Sequence, residues 1–93
     1  MYSVELSIGH NVNGIPYLTT ENIVECVSKC IPCEGATFRT QRGVWHGEVE
    51  DSTLVIIMTD NPDFIKSYVP SVRIALNQDA IMCEVREANV EFI

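Results

Sequence analysis

The run Leu54–Met58 constrains the fold of this chain more than any other feature. It places five apolar residues in succession, and Thr53 and Thr59 bound it. A strand that is apolar on both sides is typical of a central position, because both of its faces then meet other apolar groups. The run is the longest apolar stretch, and it is far too short to cross a membrane. We therefore expect a sheet with Thr53–Thr59 at its centre.

Three further strands are predicted around this one. Residues 2–8 alternate strictly between apolar and polar side chains, which is typical of a strand with one buried face. Residues 36–45 form the second strand, in which Ala36, Phe38 and Thr40 oppose the polar residues at 37, 39 and 41. The polar stretch Gly47–Ser52 is predicted to turn the chain before the central strand. Residues 80–86 form the last strand, and residues 89–93 either extend it or form a short fifth.

Two helices are predicted between these strands. Thr19 or Thr20 caps the first, and Pro32 ends it. Its apolar stripe follows helical spacing: Ile23, Val27, Cys30 and Ile31. Asp60 or Asn61 caps the second helix, which continues to Leu76. Pro70 lies inside it and is expected to kink the helix or split it in two, because an interior proline costs about 3 kcal/mol.

The resulting order is strand, helix, strand, strand, helix, strand, within one domain spanning residues 1–93. This order resembles the ferredoxin-like superfold. The resemblance implies an α+β two-layer sandwich with two helices on one face of a four-stranded antiparallel sheet. The other face would carry Ser3, Glu5, Ser7, Met82 and half of the central strand. A mixed apolar surface of this kind favours a homodimer that packs sheet on sheet.

Three members of this superfold do not match the residues. Acylphosphatases hold phosphate with an arginine in the first loop, and Gly9–Gly14 contains none. RNA-recognition motifs stack bases on aromatic residues of the third strand, which here has none. Heavy-metal chaperones carry a Cys-x-x-Cys pair in the first loop, and this loop has no cysteine.

A different resemblance is to short bacterial and phage proteins of the same fold that have no assigned function. The matching stretches are Val4–Gly9, Gly43–Trp45 and Leu76–Ile81. This resemblance implies the fold and offers no mechanism.

The charge balance narrows the classes of partner. Thirteen acidic residues against six basic ones give a net charge of −7. Nucleic-acid binding depends on lysines and arginines that neutralise phosphates, so it is not expected here. An acidic surface suits solubility or contact with a basic protein. The N-terminus lacks a basic region followed by an apolar one, so we expect a cytoplasmic protein.

The cysteines offer a candidate metal site. Cys26, Cys30 and Cys33 have the spacing by which radical-SAM enzymes hold an iron–sulfur cluster, and Cys83 could supply a fourth thiolate. Those enzymes need a barrel that this chain is too short to form. Free cysteine is also a common small apolar residue of helix faces. Free thiols without metal or cofactor are therefore the favoured interpretation.

Candidate contact residues cluster at the second strand and the turn after it. They are Arg39, Gln41, Arg42, Trp45 and His46, followed by Glu48, Glu50 and Asp51 at the predicted hairpin tip. Trp and Arg are common at interface hot spots, whereas core capping by Trp45 is an equally good interpretation. His10, in a loop rich in glycine and asparagine, is expected to be solvated.

Three functions are compatible with these features. The leading hypothesis is a non-enzymatic interaction module, such as a phage-type inhibitor that occupies a partner with its acidic surface and edge strand. The alternative is a small-ligand-binding or enzymatic domain with its site near Trp45 and His46 at a dimer cleft. Metal binding by the cysteines ranks third.

Overall fold

The structure, a computed structural model, describes residues 1–93 and contains six strands and three helices. In chain order they are β1 (Tyr2–Gly9), β2 (Asn11–Val12), β3 (Ile15–Pro16), α1 (Thr20–Cys30), β4 (Thr37–Trp45), β5 (Glu48–Thr59), α2 (Pro62–Lys66), α3 (Val69–Ala75) and β6 (Met82–Glu87). Four strands form an antiparallel sheet in the order β4-β5-β1-β6. The short strands β2 and β3 pair with each other as a separate hairpin.

The central position predicted for the apolar run is confirmed. Strand β5 lies between β4 and β1, and its side chains alternate between the two faces of the sheet. Val55 and Ile57 are buried on one face, whereas Leu54, Ile56 and Met58 are half-buried on the other. Strand β4 lies at an edge of the sheet, since β4 has a single neighbour.

The buried face of the sheet and all three helices share one apolar core. It comprises eleven buried residues: Val4, Leu6, Ile8, Ile23, Val27, Ile31, Val55, Ile57, Ile65, Val72 and Leu76. Burying a side chain of this size contributes about 1.5–3 kcal/mol. The alternation read from residues 2–8 and the stripe read from the first helix therefore point into the same core, although Cys30 is only half-buried.

The helices begin and end where their flanking residues dictate. Thr19 caps α1 through a reciprocal pair of hydrogen bonds with Asn22, at 2.9 and 3.2 Å. The second predicted helix is split into α2 and α3, and Pro70 lies in the first turn of α3. A proline at that position removes no hydrogen bond, because the first turn of a helix has no intrahelical acceptor for its N–H groups. The split, one of the two outcomes expected for Pro70, is therefore the one observed.

The turn predicted at Gly47–Ser52 is wrong. The chain reverses at His46 and Gly47, where φ is 51° and 78°, and β5 resumes at Glu48. Two successive positive φ angles match the twist of a two-residue hairpin, so the ribbon continues far beyond the predicted tip. Glu48, Glu50 and Asp51 therefore belong to a strand.

Two other boundaries differ from the predictions. The first loop contains the β2–β3 hairpin, which reverses at Asn13 and Gly14 with positive φ at both. Strand β6 begins at Met82, and residues 88–93 form neither a strand extension nor a fifth strand. No helix in the chain is long and apolar enough to span a membrane.

Candidate functional site

A depression lies where β5 continues beyond the end of β1. The pairing of β1 with β5 stops at Gly9 and Ser52, whereas β5 begins at Glu48 and pairs there with β4 alone. The missing neighbour leaves a notch of about 250 Å³, closed on the other side by the residues that lead to and follow the β2–β3 hairpin. Its lining includes a positively charged residue, two negatively charged residues and a histidine. The lining residues are His10, Asn11, Pro16, Leu18, Arg42, Val49, Glu50 and Asp51.

The carboxylate of Glu50 is positioned by a glycine. A side chain at Gly9 would collide with the Glu50 carboxylate, whose Cδ lies 3.1 Å from the position of a methyl group there. Gly9 does not have positive φ, so backbone strain does not account for the glycine at this position. The absent side chain is what allows the carboxylate to lie across the end of β1.

Arg42 and Asp51 form an ion pair at the rim of the same depression. Arg42 Nε donates to Asp51 Oδ1 at 3.0 Å, and the two side chains are 73% and 50% exposed. An exposed pair of this kind contributes about 0–1 kcal/mol to folding, since water and salt screen it. A zwitterionic ligand could therefore insert between the two charges at little cost in stability.

His10 is buried, which contradicts its predicted place in a solvated loop. His10 is only 8% exposed, and its Nε2 atom is hydrogen-bonded to Thr53 Oγ1 at 2.7 Å. Hydroxyl contacts continue from Thr53 to Thr20 at 2.9 Å and from Thr20 to Thr40 at 2.7 Å. This network holds the imidazole in one orientation.

The second ring nitrogen of His10 remains available. No protein group bonds Nδ1, and the chain contains no buried side-chain nitrogen or oxygen without a partner. Nδ1 is therefore in contact with solvent where His10 lines the depression. An imidazole that is oriented at one nitrogen and open at the other can accept or donate a proton.

The predicted contact residues are divided between two faces of the sheet. The register places Arg39, Gln41, Trp45, Glu48 and Glu50 on the face opposite the core, and Gln41 Nε2 donates to Ser7 there at 3.5 Å. Arg42 and Asp51 lie on the other face. Arg42, Glu50 and Asp51 line the depression, Glu50 from the opposite face of the sheet, whereas the other five predicted residues do not line it.

Trp45 and His46 lie outside the depression described above. They lie at the exposed tip of the β4–β5 ribbon, where their rings meet edge to face with centroids 4.9 Å apart. Trp45 is 72% exposed, so it does not cap the core. No salt bridge or hydrogen bond joins His46 to a carboxylate, so the tip lacks an oriented base.

The cysteines do not assemble into a metal centre. Cys26 and Cys30 have sulfur atoms 3.9 Å apart on α1, while Cys33 and Cys83 are exposed elsewhere. The chain contains no group of three or more His, Cys, Asp or Glu side chains with metal-binding geometry. Burial, followed by the hydrogen bond to Cys30, raises the pKa of the Cys26 thiol to about 11. This thiol therefore remains protonated at neutral pH, unlike a typical metal-binding cysteine.

Comparison with known proteins gives one informative match. No family model and no curated protein matches the sequence. Among solved structures, the fold is similar to that of a phage SAM lyase in its apo state, with a TM-score of 0.75 and 22% identity. The match covers 91% of this chain and 78% of that one. At this identity the likeness establishes a shared fold.

This finding overturns the leading hypothesis of a non-enzymatic interaction module. The similar protein is an enzyme of nearly the same extent, and this chain has a depression with oriented polar groups where a small molecule could bind. Both observations agree better with the alternative of a small-ligand-binding or enzymatic domain. The depression described here is not the site expected for that alternative, since Trp45 and His46 do not line it; a site beside them at a dimer cleft stays a prediction.

Proposed function

We propose that this chain is a lyase that cleaves SAM, S-adenosylmethionine, in the depression at the end of β1. Two observations support the proposal. The fold is similar to that of a phage SAM lyase over 91% of the chain. The depression also offers a carboxylate, an ion pair and an oriented imidazole, which suit the charges of this substrate.

A ferredoxin-like, two-layer arrangement is part of this proposal. If only the four long strands are counted along the chain, β1 is the first, β4 the second, β5 the third and β6 the fourth, so the sheet order is second, third, first, fourth. Helix α1 connects the first strand to the second, and α2 and α3 connect the third to the fourth. That order supports the ferredoxin-like topology inferred from the sequence. It also places β1 and β5 side by side at the centre, so that their unequal lengths form the notch.

Each charged group of the substrate has a complement in the depression. SAM carries a sulfonium cation, an ammonium and a carboxylate. In the proposed arrangement the Glu50 carboxylate faces the sulfonium, Asp51 accepts from the ammonium, and Arg42 donates to the substrate carboxylate. The net charge of −7 adds a long-range attraction for the positively charged sulfonium.

The bond to be broken joins the sulfonium sulfur to Cγ of the methionine portion. The sulfur keeps the electron pair and leaves as a neutral thioether, 5′-methylthioadenosine, so the leaving group needs no proton. The carbon fragment is completed in one of two ways. Either Glu50 or His10 removes a proton from Cβ to give an unsaturated amino acid, or the substrate's own carboxylate bonds to Cγ to give a lactone.

The direct test is incubation of the purified protein with SAM, followed by chromatography and mass spectrometry. We expect 5′-methylthioadenosine to accumulate together with an equal amount of either the unsaturated amino acid or the lactone. Release of S-adenosylhomocysteine would indicate methyl transfer and contradict the proposal. Complete recovery of SAM at high protein concentration would contradict it as well.

Variants of the depression locate the reaction. Glu50→Gln keeps the shape of the side chain and removes its charge, so we expect a loss of cleavage. Glu87→Gln is the matched control, because Glu87 is exposed on β6, at the far edge of the sheet. Equal cleavage by the two variants would place the reaction outside this depression.

A homodimer through the open sheet face remains a prediction. Leu54, Ile56 and Met58 are half-buried on that face, and Met82 is exposed on the same face beyond β1. A partner copy that covers this apolar area would remove it from water. Light scattering after size exclusion measures the oligomeric state directly, and a monomeric mass would contradict the prediction.

A further inference from the structure

A second depression adjoins the first and differs from it in chemistry. It has a volume of about 390 Å³, within the size range of small-molecule sites, and six of its seven lining residues are hydrophobic. It lies between the β2–β3 hairpin and the end of α3. Leu18 lines both depressions, so they are adjacent, and an elongated ligand that occupies both would cross this residue.

Hydrogen bonds hold the two walls of this depression together. Gln78 Nε2 donates to the carbonyl oxygens of Asn11, at 3.1 Å, and of Leu76, at 3.4 Å. The amides of Tyr17 and Leu18 donate to the carbonyl of His10, at 3.0 and 2.8 Å. The apolar wall is therefore fixed to the same backbone that presents the imidazole.

Two side chains of this depression have the chemistry that recognises adenine. Tyr17 is 75% exposed, so the face of its ring is open to a planar base. Asn77 follows α3 with φ of 53°, and it is an exposed residue that lines the depression. A carboxamide can accept from N6 and donate to N7 of adenine at the same time, and aromatic rings stack on bases.

We infer that the second depression binds the adenine of the substrate, with Tyr17 stacked on the base and Asn77 hydrogen-bonded to its N6 and N7. The inference rests on the proposed function, because it takes SAM as the ligand that crosses Leu18. The amino-acid end then occupies the depression of Glu50, Asp51 and Arg42. The sulfonium lies in that first depression as well, facing Glu50.

Calorimetric titration with 5′-methylthioadenosine tests the inference, because this probe carries the adenine and lacks the amino acid. Tyr17→Ala and Asn77→Gly are each expected to weaken its binding about 10-fold, the loss typical of one base stack or one bidentate contact. Glycine keeps the positive φ at position 77, so the backbone should remain unchanged. Tyr17→Phe is the matched control, since it retains the ring and should bind as the wild type does.

A base analogue identifies the contact itself. The inosine analogue of the probe has an oxygen in place of the N6 amine, and it cannot donate to the Asn77 side chain. The wild type should prefer the adenine form, and Asn77→Gly should lose that preference. Equal affinities of the wild type for both probes would overturn the inference.

The results separate this inference from the proposed function. If SAM is cleaved and its KM is unchanged in Tyr17→Ala and Asn77→Gly, the inference is overturned and the lyase proposal stands. If the two variants weaken probe binding and no protein preparation cleaves SAM, adenine recognition is supported and the lyase proposal fails. Failure of 5′-methylthioadenosine to bind the wild type at millimolar concentration overturns the inference.

Discussion

Replacing Gly9 by alanine should displace the Glu50 carboxylate while leaving the fold intact. The added methyl group would collide with the end of a flexible side chain, so Glu50 is expected to rotate away. Gly9 does not have positive φ, and alanine in a strand is generally no worse than glycine. We therefore expect the free energy of unfolding to change by less than about 1 kcal/mol.

The expected effect on the substrate follows from the distance that the charge moves. A carboxylate 4 Å from a cation is worth about 4 kcal/mol at an effective dielectric constant near 20, and about 2.4 kcal/mol at 7 Å. A change of rotamer moves a carboxylate by roughly 3 Å. The difference of about 1.7 kcal/mol corresponds to a loss of roughly 20-fold in kcat/KM.

Steady-state cleavage of SAM by Gly9→Ala measures this loss. If Glu50 only attracts the sulfonium, KM should rise and kcat should hold; if Glu50 is the base, kcat should fall. Gly35→Ala is the control, because no atom lies within 4 Å of the methyl group that it adds. Wild-type kinetics in a folded Gly9→Ala protein would refute the assignment of Glu50.

Three further predictions address the network, the thiols and the ribbon tip. Thr53→Val leaves a buried imidazole nitrogen without its partner, so it should destabilise the fold by about 1–3 kcal/mol in urea unfolding, whereas Thr37→Val, at an exposed site, should be near neutral. With Ellman's reagent at pH 8, the exposed Cys33 should react before Cys26, whose raised pKa leaves little thiolate at that pH; comparable rates would contradict the shift. Acrylamide should quench the single tryptophan, Trp45, almost as efficiently as a free indole, and protection from quenching would show that the tip is covered.

Local patterns in the sequence were sufficient to predict most elements of the fold. The alternation in residues 2–8, the run Leu54–Met58 and the cap at Thr19 each depend on neighbours within a few positions, and each is observed. The β4–β5 turn was missed because His46-Gly47 lacks the Asn-Gly signal common in two-residue hairpins, while the acidic residues after it resemble a loop. Polar residues also occur in two-stranded ribbons that extend beyond the core, so polarity alone does not distinguish such a ribbon from a loop.

The candidate site could not be predicted from local patterns, because its parts are distant in the chain. The buried imidazole of His10 is hydrogen-bonded to the hydroxyl of Thr53, 43 positions away, and nothing near His10 in the sequence indicates that contact. The close approach of the Glu50 carboxylate to Gly9 depends on the register between β1 and β5, in which Gly9 is opposite Ser52, and that register requires the whole sheet. A glycine that ends a strongly alternating strand was the one available signal, and it also fits an ordinary loop entry.

The net charge was a misleading guide to function, because the positions of the individual charged groups matter more than their sum. A value of −7 suggested an acidic surface for a basic protein, yet Glu50 and Asp51 line a notch in which Asp51 is paired with Arg42. That notch exists because β5 has twelve residues and its neighbour β1 has eight. Within the paired region, one face of the sheet packs against the core, and the strands lie side by side without a gap. A strand that extends beyond its partner provides concave polar surface without removing any of the eleven core residues, so in this chain the difference in strand length is what makes room for a ligand.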